Sequence, residues 1–133
     1  MATERPRFAL ERTAQPEDID ELGHVNNAVY VRWIQDVATA HWAAAASAEM
    51  IAAFVWVVTR HEIDYRRPTL AGDTVRLETW VGTPQGARFD RHVEIAGTGG
   101  EIRVAARSWW ACLDRETMRP VRIRPELVAP FLA

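Results

Sequence analysis

The 133-residue chain is 48% hydrophobic, which supplies one self-standing core and too little length for two typical domains. Its formal net charge is -2, from 16 arginines, no lysine and 18 acidic residues; this excludes a global electrostatic pull toward nucleic acid or an anionic membrane. The single cysteine, Cys112, excludes an internal disulfide and a multi-cysteine metal site, and a buried strand thiol is expected there.

Met1 to Pro6 carries neither the basic patch nor the apolar run of a secretory signal. The least polar region, Trp42 to Val58, is too interrupted and too alanine-rich for a membrane span. A cytoplasmic protein with residues 1–133 as one domain is the expectation. Phe8 to Thr13 reads as a short strand ending before Gln15-Pro16, since proline cannot donate to a ladder. From Asn26 or Asn27, the positions Tyr30, Trp33, Ile34, Val37, His41, Ala44, Ala45 and Ala48 recur at three- and four-residue steps, which predicts one long helix with an apolar face. Its alanines let a sheet approach closely.

After Ala53 the texture turns β-branched and aromatic. Phe54 to Tyr65 is a predicted strand, closed by Arg67-Pro68. Thr74 to Val81 alternates Val75, Leu77, Thr79 and Val81 against Arg76, Glu78 and Trp80, and Thr83-Pro84-Gln85-Gly86 is read as a turn into a strand from Arg88 to Ala96. Gly97 to Gly100 is the next turn. Ile102 to Leu113 is a long strand, Asp114 to Pro120 a turn, Val121 to Ile123 a brief return, and Pro125 to Leu132 a terminal helix or an extended tail. One strand, one long helix and four strands joined by short turns imply an antiparallel sheet. A single helix cannot cover both faces and both edges of such a sheet, so self-association is expected.

The segment from Asp18 to Tyr30 gathers two carboxylates, a glycine, a histidine and two asparagines ahead of the helix. A loop that delivers an acid or base beside a helix N-terminus combines a proton-handling or nucleophilic group with outward backbone N–H donors, a pairing suited to reactions at a carbonyl carbon. Asp18 is expected to be a structural turn residue. Asn26 and Asn27 are expected to cap free helix amides, and Gly23 to allow a conformation or a close ligand approach that a Cβ would block. Arg66, Arg67 and Arg88, near strand ends or turns, are candidates for binding anionic groups such as phosphates. His41, His61 and His92 are dispersed without metal-ligand spacing, so no metal is expected. The tryptophans are assigned to the core, a subunit interface or a ligand pocket.

The pattern Asp18-x-Asp20-x-x-Gly23-His24-Val25-Asn26-Asn27-x-x-Tyr30, followed by Arg67-Pro68-x-x-x-Gly72-Asp73, resembles the hotdog-fold acyl-CoA thioesterases, and among them the 4-hydroxybenzoyl-CoA thioesterase-like group. The likeness runs from Phe8 to about Ile123. It implies an α+β hotdog fold, a curved antiparallel sheet wrapped around one long central helix. It also implies hydrolysis of a fatty-acyl or aryl-CoA thioester to free acid and CoA without a cofactor, in a homodimer or a dimer-of-dimers tetramer. The family's catalytic carboxylate falls on Asp20 and its carbonyl-polarising backbone N–H on Asn27. Gly23, Asn26 and Tyr30 fall at substrate-binding positions.

Plant-type acyl-carrier-protein thioesterases carry a similar Asp-x-Asn-x-His-Val-Asn-Asn sequence in which the histidine takes part, which nominates His24. Leu22 departs from their asparagine. Gln35 and Asp36 stand near a position where many relatives have glutamate, and Gln35 cannot act as a carboxylate. Two other readings remain open: a hotdog-fold hydratase or dehydratase, disfavoured by the Glu-Leu-Gly interval between Asp20 and His24, and a non-catalytic acyl-CoA-binding module, against which the intact Asp20 argues.

Overall fold

The computed structural model describes residues 5–133; residues 1–4, and with them most of the Met1–Pro6 stretch read for a targeting signal, lie outside the described residues. Chain order is β1 (Phe8–Thr13), a 3-10 turn (Pro16–Asp18), α1 (Asn27–Ala45), α2 (Ala48–Ala53), β2 (Phe54–Tyr65), β3 (Thr74–Gln85), β4 (Arg88–Ala96), β5 (Ile102–Asp114), α3 (Pro125–Val128) and a second 3-10 turn (Ala129–Leu132). The strands form one five-stranded sheet in the order β1-β3-β4-β5-β2, every pairing antiparallel. The expected α+β architecture, a curved antiparallel sheet with one long helix on its face, is present. Among the described residues no helix is long and apolar enough to cross a membrane.

Alternation sorts each strand into two faces. Leu10, Leu77, Ile95 and Val104 are mutual register partners across β1, β3, β4 and β5. With their neighbours Val75, Val93 and Ala106 they meet Val29, Tyr30, Trp33, Ile34 and Val37 of α1 in the principal apolar cluster. A second cluster lies toward the C-terminal end of α1, where Val81, Phe89 and Cys112 of the sheet pack with Ile123, Leu127, Val128 and Phe131. Burial pushes the Cys112 thiol up to about 11, so it is an inert core thiol as expected.

Two boundaries differ from the sequence reading. Helix α1 stops at Ala45 instead of running to Ala48: Ala46 is extended, and the Ser47 hydroxyl accepts a hydrogen bond from Met50 N, starting the separate helix α2. A serine able to cap a new helix outweighs the helix propensity of the flanking alanines. Strand β3 continues through Thr83-Pro84-Gln85, which had been read as a turn. Pro84 falls where the β3–β4 register shifts, a position that tolerates its missing N–H, and the connection shortens to Gly86 and Ala87, with Gly86 at φ 64°. The C-terminal segment is helical, with Pro125 in its first turn.

Phe131, 2% exposed, anchors that segment between the rings of His41, Trp42, Trp56 and Phe89. Phe131→Ala is expected to lower unfolding free energy by about 3–5 kcal/mol. Leu22→Ala, at a side chain that is 75% exposed, should change it by less than about 0.5 kcal/mol. Urea denaturation of the two variants checks the contrast.

Candidate active site at the start of the long helix

The loop before α1 is a small hairpin. Asn26 N donates to Asp18 O, Ile19 and Val25 form a bridge, and Asp20 N donates to His24 O. Gly23 turns the tip with φ 79°. A Cβ there would meet nothing within 4 Å, so the glycine is required by conformation and not by crowding. Val25 N donates to Thr69 O, fastening the loop to the Arg67-Pro68 segment.

Asp18, 6% exposed, holds the base of this hairpin. Its Oδ2 accepts from Gln15 N and its Oδ1 from Arg32 Nη2 of α1, at 2.9 and 3.1 Å. The paired carboxylates of the motif thus have different tasks. Asp18 is engaged by backbone and by a guanidinium, whereas Asp20 uses only Oδ1, accepting from Leu22 N at 2.9 Å and from His24 N at 3.4 Å. Oδ2 of Asp20 takes part in none of these bonds.

The helix start presents the second element. Asn26 is the N-cap: its side chain accepts from Ala28 N, and its carbonyl accepts from Val29 N. Asn27 is the first helical residue rather than a cap, and among the described residues its N–H has no intramolecular acceptor. A free amide aligned with the positive end of a 19-residue helix is a donor for a developing oxyanion. His24 joins Asp20 through backbone groups, and no bond of the turn uses its imidazole. Tyr30, one turn further on, is 3% exposed, packs on Trp33 and Tyr65, and carries a buried hydroxyl without a partner.

The three candidate phosphate-binding arginines do not converge within one chain. Arg66 and Arg67 donate their backbone N–H groups to Arg103 O at the β5 start, on the side of the sheet that carries Thr69 and the loop. Arg88 pairs with Ala111 near the other end of β5. Arg66 and Arg67 therefore adjoin the candidate site and Arg88 does not.

The sequence reading missed a polar row inside the fold. Arg91 of β4, Ser108 of β5 and His61 of β2 are register partners on the helix-facing side. His61 Nδ1 lies 2.6 Å from Ser108 Oγ and its Nε2 lies 3.4 Å from Gln35 Nε2. An imidazole accepting from Gln35 at Nε2 carries its proton on Nδ1 and donates it to the serine, the opposite of what activates a serine nucleophile. Beside them Arg91, 3% exposed, donates through Nη1 to His41 Nδ1 at 2.9 Å and to Thr79 Oγ1 at 3.0 Å. Burial alone pushes the guanidinium down to about 9, so it is still charged at neutral pH. The signal was in β4: Phe89, Arg91, Val93 and Ile95 occupy one alternation class, placing an arginine among core residues.

A curved five-stranded antiparallel sheet packed on one long helix is the hotdog fold. The chain belongs to the acyl-ACP thioesterase family: residues 11–131 match the model of its N-terminal domain. A chloroplastic acyl-[acyl-carrier-protein] hydrolase of Cuphea viscosissima is 34% identical over 83 residues, covering 59% of this chain and 20% of that protein. The fold matches a putative oleoyl thioesterase from Lactobacillus plantarum, with TM-score 0.86, 22% identity, and coverage of 96% of this chain and 51% of the other. It also matches a Staphylococcus aureus protein solved in complex with CoA, with TM-score 0.81, 15% identity, and coverage of 98% and 84%. The chain spans less than half the length of the curated relatives it matches. The resemblance drawn from the Asp18–Tyr30 motif is thereby borne out at the level of family and fold.

His41 supplies a pH test of the buried polar row. Desolvation, reinforced by the charge of Arg91, lowers it from 6.5 to about 4. Between those values the unfolded chain binds a proton that the folded protein does not, so this contribution to stability is complete above about 6.5 and falls as pH drops toward about 4. His41→Gln keeps an acceptor for Arg91 but cannot titrate. Urea midpoints measured at neutral pH and at about pH 5 should diverge for the parent and much less for the variant.

Proposed function

We propose that the chain is a thioester hydrolase acting on an acyl group carried by coenzyme A or acyl carrier protein, with Asp20 and Asn27 as its working groups. The observation that carries this reading is the pairing of a carboxylate having an uncommitted Oδ2 with an unsatisfied helix-start amide in one short, tightly bonded loop. The family match and the CoA-bound structural neighbour support the carrier assignment.

In this mechanism the thioester oxygen rests on Asn27 N–H. Asp20 then either removes a proton from an attacking water or attacks the carbonyl carbon itself, forming a mixed anhydride that water hydrolyses. In both routes the C–S bond breaks, the thiolate leaves and is protonated, and the acyl group departs as the free acid. His24, beside Asp20 in the hairpin, assists water orientation. Gly23, Asn26 and Tyr30 shape the approach, and Arg66 and Arg67 face the carrier's phosphates.

Asp20→Asn preserves the Oδ1 acceptor that closes the turn while removing both base and nucleophile. It should fold and bind substrate but lose about 10²–10⁴-fold in kcat, read by free-thiol release from a panel of short, long-chain and aryl-CoA thioesters. Near-parental kcat would sink the Asp20 assignment. His24→Ala should cost less.

We further propose that the working unit is a homodimer, or a tetramer built from such dimers, paired through β2. This 12-residue strand is a sheet edge with no neighbour on its outer side among the described residues, and two-fold antiparallel pairing of such edges satisfies both. Sedimentation of the parent at micromolar concentration should give twice the chain mass or a multiple of it. Proline at Val57, near the middle of the strand, should shift the protein toward monomer.

A further inference from the structure

One pocket in the molecule holds more hydrogen-bond donors than the protein gives it acceptors. It lies beside the C-terminal half of α1, has a volume of about 350 Å³, and is walled by Trp42, Phe54, Trp56, Phe89, Trp110 and Phe131. Its charged lining consists of Arg91 and Arg115, with no carboxylate. Arg115 caps the end of α2, donating to Ile51 O at 2.9 Å. Arg91 lies deeper, under the face of Phe131 at 5.0 Å.

Only Nη1 of Arg91 is used, toward His41 and Thr79; among the described residues neither Nε nor Nη2 has a protein acceptor. The indole nitrogens of Trp56 and Trp110 also lack an acceptor, but they are closed off from the pocket's space, which these rings wall through carbon. These three side chains share one face of adjoining strands, because Trp110 pairs with Phe89, Phe89 is two residues from Arg91, and Trp56 pairs with Cys112, two residues from Trp110. A hydrocarbon tail would fill the aromatic walls but leave a buried cation with unused donors. A carboxylate supplies both the negative charge and a pair of acceptor oxygens, which the planar guanidinium suits.

We infer that this pocket binds the distal carboxylate of an acyl group, with Arg91 as its counter-ion and the aromatic rings as its walls, so that the preferred thioester is the single thioester of a dicarboxylic acid. The inference rests on the thioester reading of Asp20 and Asn27. The pocket begins near Ala38, about 16 Å along α1 from Asn27. Antiparallel pairing of two β2 edges would set it beside the partner's catalytic loop, with an elongated acyl group between them.

The test compares CoA thioesters from butanedioic to decanedioic acid, one end free, with the matched monocarboxylic thioesters and with the distal methyl esters. In the parent the free distal carboxylate should raise kcat/KM by at least ~10-fold over the neutral analogues, mainly through KM. Arg91→Met should abolish or reverse that preference, and Arg91→Lys should retain part of it. A parallel binding series on the Asp20→Asn protein, read by tryptophan fluorescence, separates this inference from the hydrolase reading. Carboxylate-selective, Arg91-dependent binding without cleavage of any thioester by the parent leaves the pocket assignment standing and removes the hydrolase. Cleavage without a preference for the distal carboxylate, or a preference unchanged in Arg91→Met, overturns the pocket assignment and leaves the hydrolase. If Arg91→Met does not fold, the parent's ratio of free acid to methyl ester decides alone.

Discussion

A guanidinium placed inside an apolar core dictates much of what surrounds it. Removing a cation from water is costly unless polar groups replace the hydration shell, and Arg91 obtains only His41, Thr79 and the face of Phe131. Those partners come from α1, β3 and the C-terminal segment, so one side chain ties three parts of the chain to β4. It also fixes register. Shifting β4 by one residue would turn Arg91 to the outer face and bring Asp90 inward, away from Thr83 N and Arg107, to which its carboxylate is bonded.

The active-site loop obeys a similar logic on a smaller scale. Asp18 is the buried fixture and Asp20 the free one, although a bare sequence shows only two aspartates with one residue between them. What separates them is Arg32, in the second turn of α1, which engages Asp18 and leaves Asp20 to the turn. Once the hairpin is closed, the first turn of α1 is aimed without any further contact from Asn27, whose own side chain is exposed. Asp20, held through Oδ1 alone, keeps its other oxygen free for the role proposed for it.

The elements legible in the sequence were those whose periodicity was uncontested. Strands β1 and β2 begin and end where the alternation does, and α1 begins at Asn27, where the Asn-Asn pair announces a cap. The misread places are those where a local residue preference competed with pairing. Pro84 signals a turn, yet a register shift lets the ladder pass through it; Ala48 signals more helix, yet Ser47 starts a new one. The motif loop was legible because its roles depend on residues close in sequence. The Arg91, Ser108 and His61 row was not, because its members come from three strands and each residue type, taken singly, belongs on a surface. Only β4 alternation and cross-strand register together place them inside.

The two edges of the sheet are unequal. Edge strand β1 has six residues and gives way to Pro16, while the opposite edge, β2, has twelve and a register break at Thr59 in its middle. Sheets whose two edges match in length and flatness can add copy upon copy in one direction and grow into fibres. Under the proposed β2 pairing, an edge that joins its own like would be consumed in a single step, leaving two short, proline-bounded ends. The kink at Thr59 further restricts which neighbour fits, because a straight foreign strand cannot follow a bulged one along its full length. The unevenness of the two edges would thus give the proposed assembly a natural stopping point.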